Sequence, residues 1–155
     1  MNEYYGIYPA FVKSVKDPEK RGRIKVRCPE ALGDAISGWC EPCVPVAYDG
    51  GGDFCIPPLE EAVWITFIEG DVNRPVYMGG WWSQSKTPLK DNYSGVTQKR
   101  IISFGKCKIE MKKDKMTLSV KDNKIVITDS DIEINGISFK NHTHTGAHGE
   151  TSTPH

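Results

Sequence analysis

Three of the four histidines, His142, His144 and His148, fall within seven residues, in Asn141-His-Thr-His-Thr-Gly-Ala-His-Gly149, and the fourth is His155. Neutral imidazole is a good ligand for transition metals. Alternate side chains of an extended strand point to the same side, so His142 and His144 would present two imidazoles on one face. Two are too few to fill a metal's coordination sphere. A symmetric trimer would gather six at one axis. The surrounding glycines and threonines, with Pro154, cannot build a core, which marks the segment as a tip. The competing reading is a solvated tail with chance histidines. His148 and His155 are expected in loops. A metal-dependent hydrolase would need an open coordination position and a nearby base. Glu150 is the carboxylate close by, and six histidines would leave no position open.

Cysteine is the second residue type that could do chemistry. The five are Cys28, Cys40, Cys43, Cys55 and Cys107, and an odd number is no disulfide framework. Cys40-Glu-Pro-Cys43 could be half of a zinc site completed by Cys28 and Cys55. Each of these lies twelve residues from the pair, outside the commoner zinc spacings. A redox pair would want a strand–helix junction. The remaining reading is reduced cysteines in a small β-domain.

The elements that must position these residues read as all-β. Gly22-Arg-Ile-Lys-Val-Arg-Cys28 alternates, with Ile24, Val26 and Cys28 on one face. Ala62–Ile68 is a strand of branched and aromatic residues, and Pro75–Gly79 is another. Asp17-Pro18, Asp49-Gly-Gly-Gly52, Pro57-Pro58 and Gly70-Asp71 are turns. Residues 1–82 therefore read as a small barrel of the OB type. Residues 83–99 are a polar linker. Over residues 100–140, strands follow one another at short spacing: 108–112, 116–120, 124–128, 131–135 and 136–140. In most of them one face is apolar (Ile109, Met111; Leu118, Val120; Ile132, Ile134) and the other charged. Residues 141–155 form the apex.

About 40 residues so thin in apolar side chains cannot bury enough surface alone. Cys107 offers no cross-link partner within them, so oligomerisation is left. Three such chains could wind into an intertwined prism, apolar faces inward, with no open sheet edge. A meander packed back on the barrel is the alternative.

Lys+Arg and Asp+Glu both total 20, which argues against a chain that mainly holds a nucleic-acid backbone. Trp64, Tyr77, Trp81 and Trp82 could stack bases in a nucleic-acid-binding OB-fold, or a carbohydrate. Otherwise they belong to barrel core and a hydrophobic contact. No apolar run approaches the roughly 20 residues of a membrane span. Met1-Asn-Glu-Tyr-Tyr-Gly6 has neither a basic start nor an apolar stretch after it, so no signal peptide is expected, and synthesis is expected in the cytoplasm.

Three stretches carry a resemblance. They are Asp17-Pro-Glu-Lys-Arg-Gly-Arg-Ile-Lys-Val-Arg-Cys-Pro29; Phe54–Gly79, with its Pro-Pro, Val-Trp, Gly-Asp and Arg-Pro-Val elements; and His142-Thr-His144-Thr-Gly146. In this order the chain resembles the central spike proteins of contractile phage tails and related contractile injection systems or bacteriocins. The resemblance implies an OB-fold beneath a baseplate hub and a trimeric β-helix needle. It also implies one iron ion per trimer, rather than zinc or another divalent metal, on His142 and His144 of all three chains. It implies no catalysis. The partners it implies are a homotrimer, hub and tail-tube proteins and the target envelope, but no nucleic acid. The place it implies is a virion baseplate tip or equivalent particle. Unlike larger relatives, this chain has no room at 83–99 for a lysozyme domain, and it brings its own pointed end.

Overall fold

A computed structural model describes residues 3–83, 86–87, 99–146 and 149–150. Most of the linker expected at 83–99, as well as His148 and His155, lie outside the described residues. The chain divides into two compact units, Met1–Pro88 and Leu89–His155.

The first unit is a five-stranded barrel. Its strands are β1 (Tyr8–Ser14), β2 (Lys25–Arg27), β3 (Glu41–Pro42), β6 (Ala62–Phe67) and β7 (Pro75–Gly80). A hairpin of β4 (Ala47–Tyr48) and β5 (Gly51–Gly52) stands apart from their sheet. The strand order is β2-β1-β6-β7-β3, antiparallel except where β3 joins β7. The Ile24–Cys40 bridge, with backbone bonds of 2.8 and 3.3 Å, closes the free edge of β2 onto the approach to β3. Register shifts within β1 (Val12/Ser14) and between β6 and β7 (Val63/Ile65) supply irregularities that let a small sheet curl shut. Alternation then sorts side chains. Ala10, Val12, Ile24, Val26, Cys28, Val63 and Ile65 are fully buried. The in-facing set read from residues 22–28 is thus the observed one. A single helical turn, α1 (Pro29–Leu32), adds Ala31 to this core.

The second unit is a meander of consecutive antiparallel strands. They are β8 (Arg100–Phe104), β9 (Cys107–Lys112), β10 (Lys115–Val120), β11 (Asn123–Thr128), β12 (Ile132–Ile134) and β13 (Ile137–Ser138). Strand β8 is additional to the expected set. Arg-Ile-Ile-Ser-Phe before the Gly105-Lys106 turn carries its signal, since Gly105 takes the positive φ (56°) that the turn needs. The strand expected at 136–140 ends at Ser138, and residues 139–141 turn instead. A short pair, β14 (Thr145–Gly146) with β15 (Gly149–Glu150), follows. No described residue from 99 to 145 is fully buried.

Candidate functional site

The sequence stretches singled out in the barrel serve architecture. The Asp17 carboxylate accepts hydrogen bonds from the backbone N–H of Glu19, Arg21 and Arg23 and from Nε and Nη2 of the Arg23 guanidinium, the last at 2.7 Å. Both side chains are nearly covered, at 4% and 9% exposure. The Arg23 partner holds the Asp17 carboxyl well below the usual carboxylate range. Arg23 also lies over the Trp39 ring, as does the Lys25 ammonium at 4.9 Å. Gly22 has a positive φ (77°), and a Cβ there would sit 3.2 Å from the Phe54 ring. Its carbonyl accepts from the Tyr77 hydroxyl at 2.8 Å. The 17–29 and 54–79 stretches therefore meet at one point and fix each other.

Tyr77 is core, as expected. Trp64 is not, which corrects its assignment to the barrel core; for Trp81 and Trp82 the expectation is a hydrophobic contact at the strand end. Trp64 and Trp81 pack with tilted rings (5.6 Å) and Phe11 meets Trp81 edge-on (6.0 Å), forming a patch on the outside of β1 and β6. Trp64 and Trp82 remain exposed. Alternation explains it: Val63 and Ile65 take the inward positions, so Trp64 must face out.

The cysteines do not converge on a site. Cys28 and Cys40 belong to the core, Cys43, Cys55 and Cys107 are exposed, and all five are free. Burial pushes the Cys40 thiol up to about 11 and raises that of Cys28, which disfavours the thiolate that metal binding or redox exchange requires. Among the described residues, no three His, Cys, Asp or Glu side chains of one chain come together as a metal cluster.

The meander has two unlike faces. Ile102, Ile109, Leu118, Ile125, Ile134 and Ile137 oppose one another in succession across all six strands. Met111, Met116, Ile127 and Ile132 form a parallel row on the same side. This apolar face is open in the single chain. Ile134 is 50% and Ile137 62% exposed. The opposite face carries Lys108, Glu110, Lys112, Lys115, Lys124 and Glu133. There Lys108 and Lys112 both clasp Glu110 and hold its carboxyl down at about 2.

His142 and His144 follow the turn after β13. The strand placement expected for them is replaced by an irregular segment, yet the two rings still meet, with centroids 5.1 Å apart and planes at 89°. The two imidazoles are thus close neighbours within one chain. His142 Nδ1 lies 2.9 Å from the Phe139 carbonyl and 3.1 Å from that of Ser138. Both partners only accept, so the proton sits on Nδ1 and the lone pair on Nε2. Carbonyl contacts of this kind orient metal-binding imidazoles. The Phe139 ring packs beside His142 at 6.0 Å. Nothing in the sequence announced these carbonyl contacts, because they depend on where the last strand stops.

Residues 8–82 match the family described as the type VI secretion system/phage-baseplate injector OB domain. The match agrees with the resemblance read from residues 17–29 and 54–79. No curated protein matches the chain.

Proposed function

We propose that this chain is the central spike of a contractile injection machine, a non-catalytic homotrimer driven through a target envelope when the sheath contracts. The observation that carries the proposal is the apolar row of Ile102, Ile109, Leu118, Ile125, Ile134 and Ile137. Side chains of this kind favour burial by about 1.5–3 kcal/mol each, and one chain leaves them open. Three copies that turn these faces to a common axis form an intertwined β-prism needle over residues 100–140. The family match at residues 8–82 supports a component of a phage tail or type VI secretion system. It favours attachment of residues 1–82 to hub and tail-tube proteins rather than chemistry, with 83–99 as linker and 141–155 as apex.

In this reading His142 and His144 of three chains hold one metal ion. Their paired rings and the free Nε2 of His142 fit imidazole ligation. That donor set suits iron, nickel, copper and zinc, and iron follows from the resemblance to spike proteins. The ion would tie three chain ends that otherwise fray.

Light scattering of the native protein tests the reading. The expected mass is about three times the 17.3 kDa of the chain, and a monomer ends it. A form lacking residues 1–82 should remain a soluble trimer that no longer joins particles.

A further inference from the structure

From the distribution of charge we infer that the polar face of the meander is a docking surface for phosphate-bearing lipid membranes. The chain is neutral as a whole, but its charge is segregated. Residues 3–83 carry eight Lys/Arg against twelve Asp/Glu, whereas residues 99–140 carry ten against six. On the polar face the strand positions hold four lysines, Lys108, Lys112, Lys115 and Lys124, against two carboxylates, Glu110 and Glu133. Lys112 stands directly opposite Lys115 across the β9–β10 turn, an arrangement that costs stability in a sheet. Lys108 and Lys124 flank Ser119 in the neighbouring row. Glu110 is already taken by Lys108 and Lys112. Lys115 and Lys124 are exposed and form no ion pair with any described residue.

At the turn edge, a cleft of about 450 Å³ is lined by Lys99, Lys112, Lys113 and Lys115 against Asp114 and Asp129, with the hydroxyl-bearing Thr128 and Ser130 beside them. Ammonium groups and hydroxyls together suit phosphate oxygens.

The kind of anion follows from what this face lacks. No arginine or aromatic residue occupies its strand positions. Bases are therefore offered no stacking platform, and duplex edges no bidentate fork. Lysines spread over a sheet act as point charges, which match the diffuse field of an anionic leaflet. The apolar face cannot compete for this role if it is buried between chains. The inference rests on the trimeric reading to that extent.

Flotation of the full-length protein with vesicles is the test. Vesicles of phosphatidylcholine plus phosphatidylglycerol should carry the protein up, and pure phosphatidylcholine vesicles should not. Retention should collapse at about 0.5 M salt, where screening shortens to a few ångströms. Replacing Lys115→Glu with Lys124→Glu should lower apparent affinity about tenfold or more, and Lys115→Gln with Lys124→Gln should fall between. Equal retention on both vesicle types, salt-independent retention, or no retention on either overturns the proposal. So does an unaltered double variant. If the glutamate variant fails to fold, the parent's lipid and salt dependence and the glutamine variant decide. Light scattering on the same sample separates the two claims. A monomer that binds anionic vesicles, and loses them to salt and to the Lys115/Lys124 variants, sinks the spike and keeps the surface, and a trimer that ignores them does the reverse.

Discussion

In the barrel, Ile24, Val26, Val63 and Ile65 lose all contact with solvent within one chain, whereas in the meander Ile125, Ile132 and Ile134 stay 38%, 41% and 50% exposed. Both units alternate apolar and polar residues along their strands. The barrel's sheet closes through the Ile24–Cys40 bridge and so encloses its apolar side. The meander's sheet runs from β8 to β13 without closing, so its apolar side needs a partner. Alternation alone does not make a core; closure does, either within a chain or between chains.

The largest effect expected from this contrast is in the meander. A charge at Ile127→Asp or Ile134→Asp would be buried without a partner in the assembled needle, at several kcal/mol per chain. It should turn the trimer into monomers by light scattering while the barrel stays folded. An unchanged mass would break the comparison.

The reciprocal change, Ile65→Ala, removes a fully buried side chain from the barrel. It should cost about 2–5 kcal/mol, read as a lowered unfolding midpoint of the barrel. The trimer mass should not move. Loss of both together would mean that the units are not energetically independent.

A subtler test uses acid. The Asp17 carboxyl is held below its ordinary 3.8 chiefly by Arg23. A carboxyl depressed in the folded state stabilises that state at neutral pH, and this contribution fades as pH falls from about 4 downward. The barrel should therefore lose stability on acidification below about pH 4, and Asp17→Asn should flatten that part of the profile. Glu110, at about 2, predicts the same sign for the meander. Equal acid sensitivity in parent and Asp17→Asn would remove Asp17 from the account.

The smallest effect on assembly is expected at the tip. His142→Ala with His144→Ala should remain trimeric but bind no metal, where elemental analysis of the parent should give one ion per three chains. Acid should release the ion from the parent, because ligating imidazoles must be neutral. Three ions per trimer would mean that each chain has its own site.

Much of this was readable from residue order, and the exceptions have physical causes. Strict alternation at 22–28 identified Ile24, Val26 and Cys28 as inward, since a strand in a closed sheet has one dry side. The same alternation turns Trp64 outward, between the buried Val63 and Ile65, and parity within β6 overrides the core placement expected for it. Strand β8 was missed because Arg100 and Ser103 dilute its short apolar run. The closeness of His142 and His144 agrees with their spacing, but its cause differs from the one expected. A turn at 139–141, not an extended strand, brings the rings together, and turns that depend on carbonyl acceptors leave little trace in sequence.

The neighbour-to-neighbour pairing of the meander has a kinetic side. Every strand from β8 to β13 pairs only with the next in sequence, whereas β1 of the barrel waits for β6, some fifty residues later. Local pairings close quickly and long-range ones slowly. Three copies of the meander would therefore be limited by how often chains meet, not by how each finds its own register. Needle formation should speed up with protein concentration while barrel folding should not. Chains emerging side by side on one message would have an advantage that dilute refolding removes.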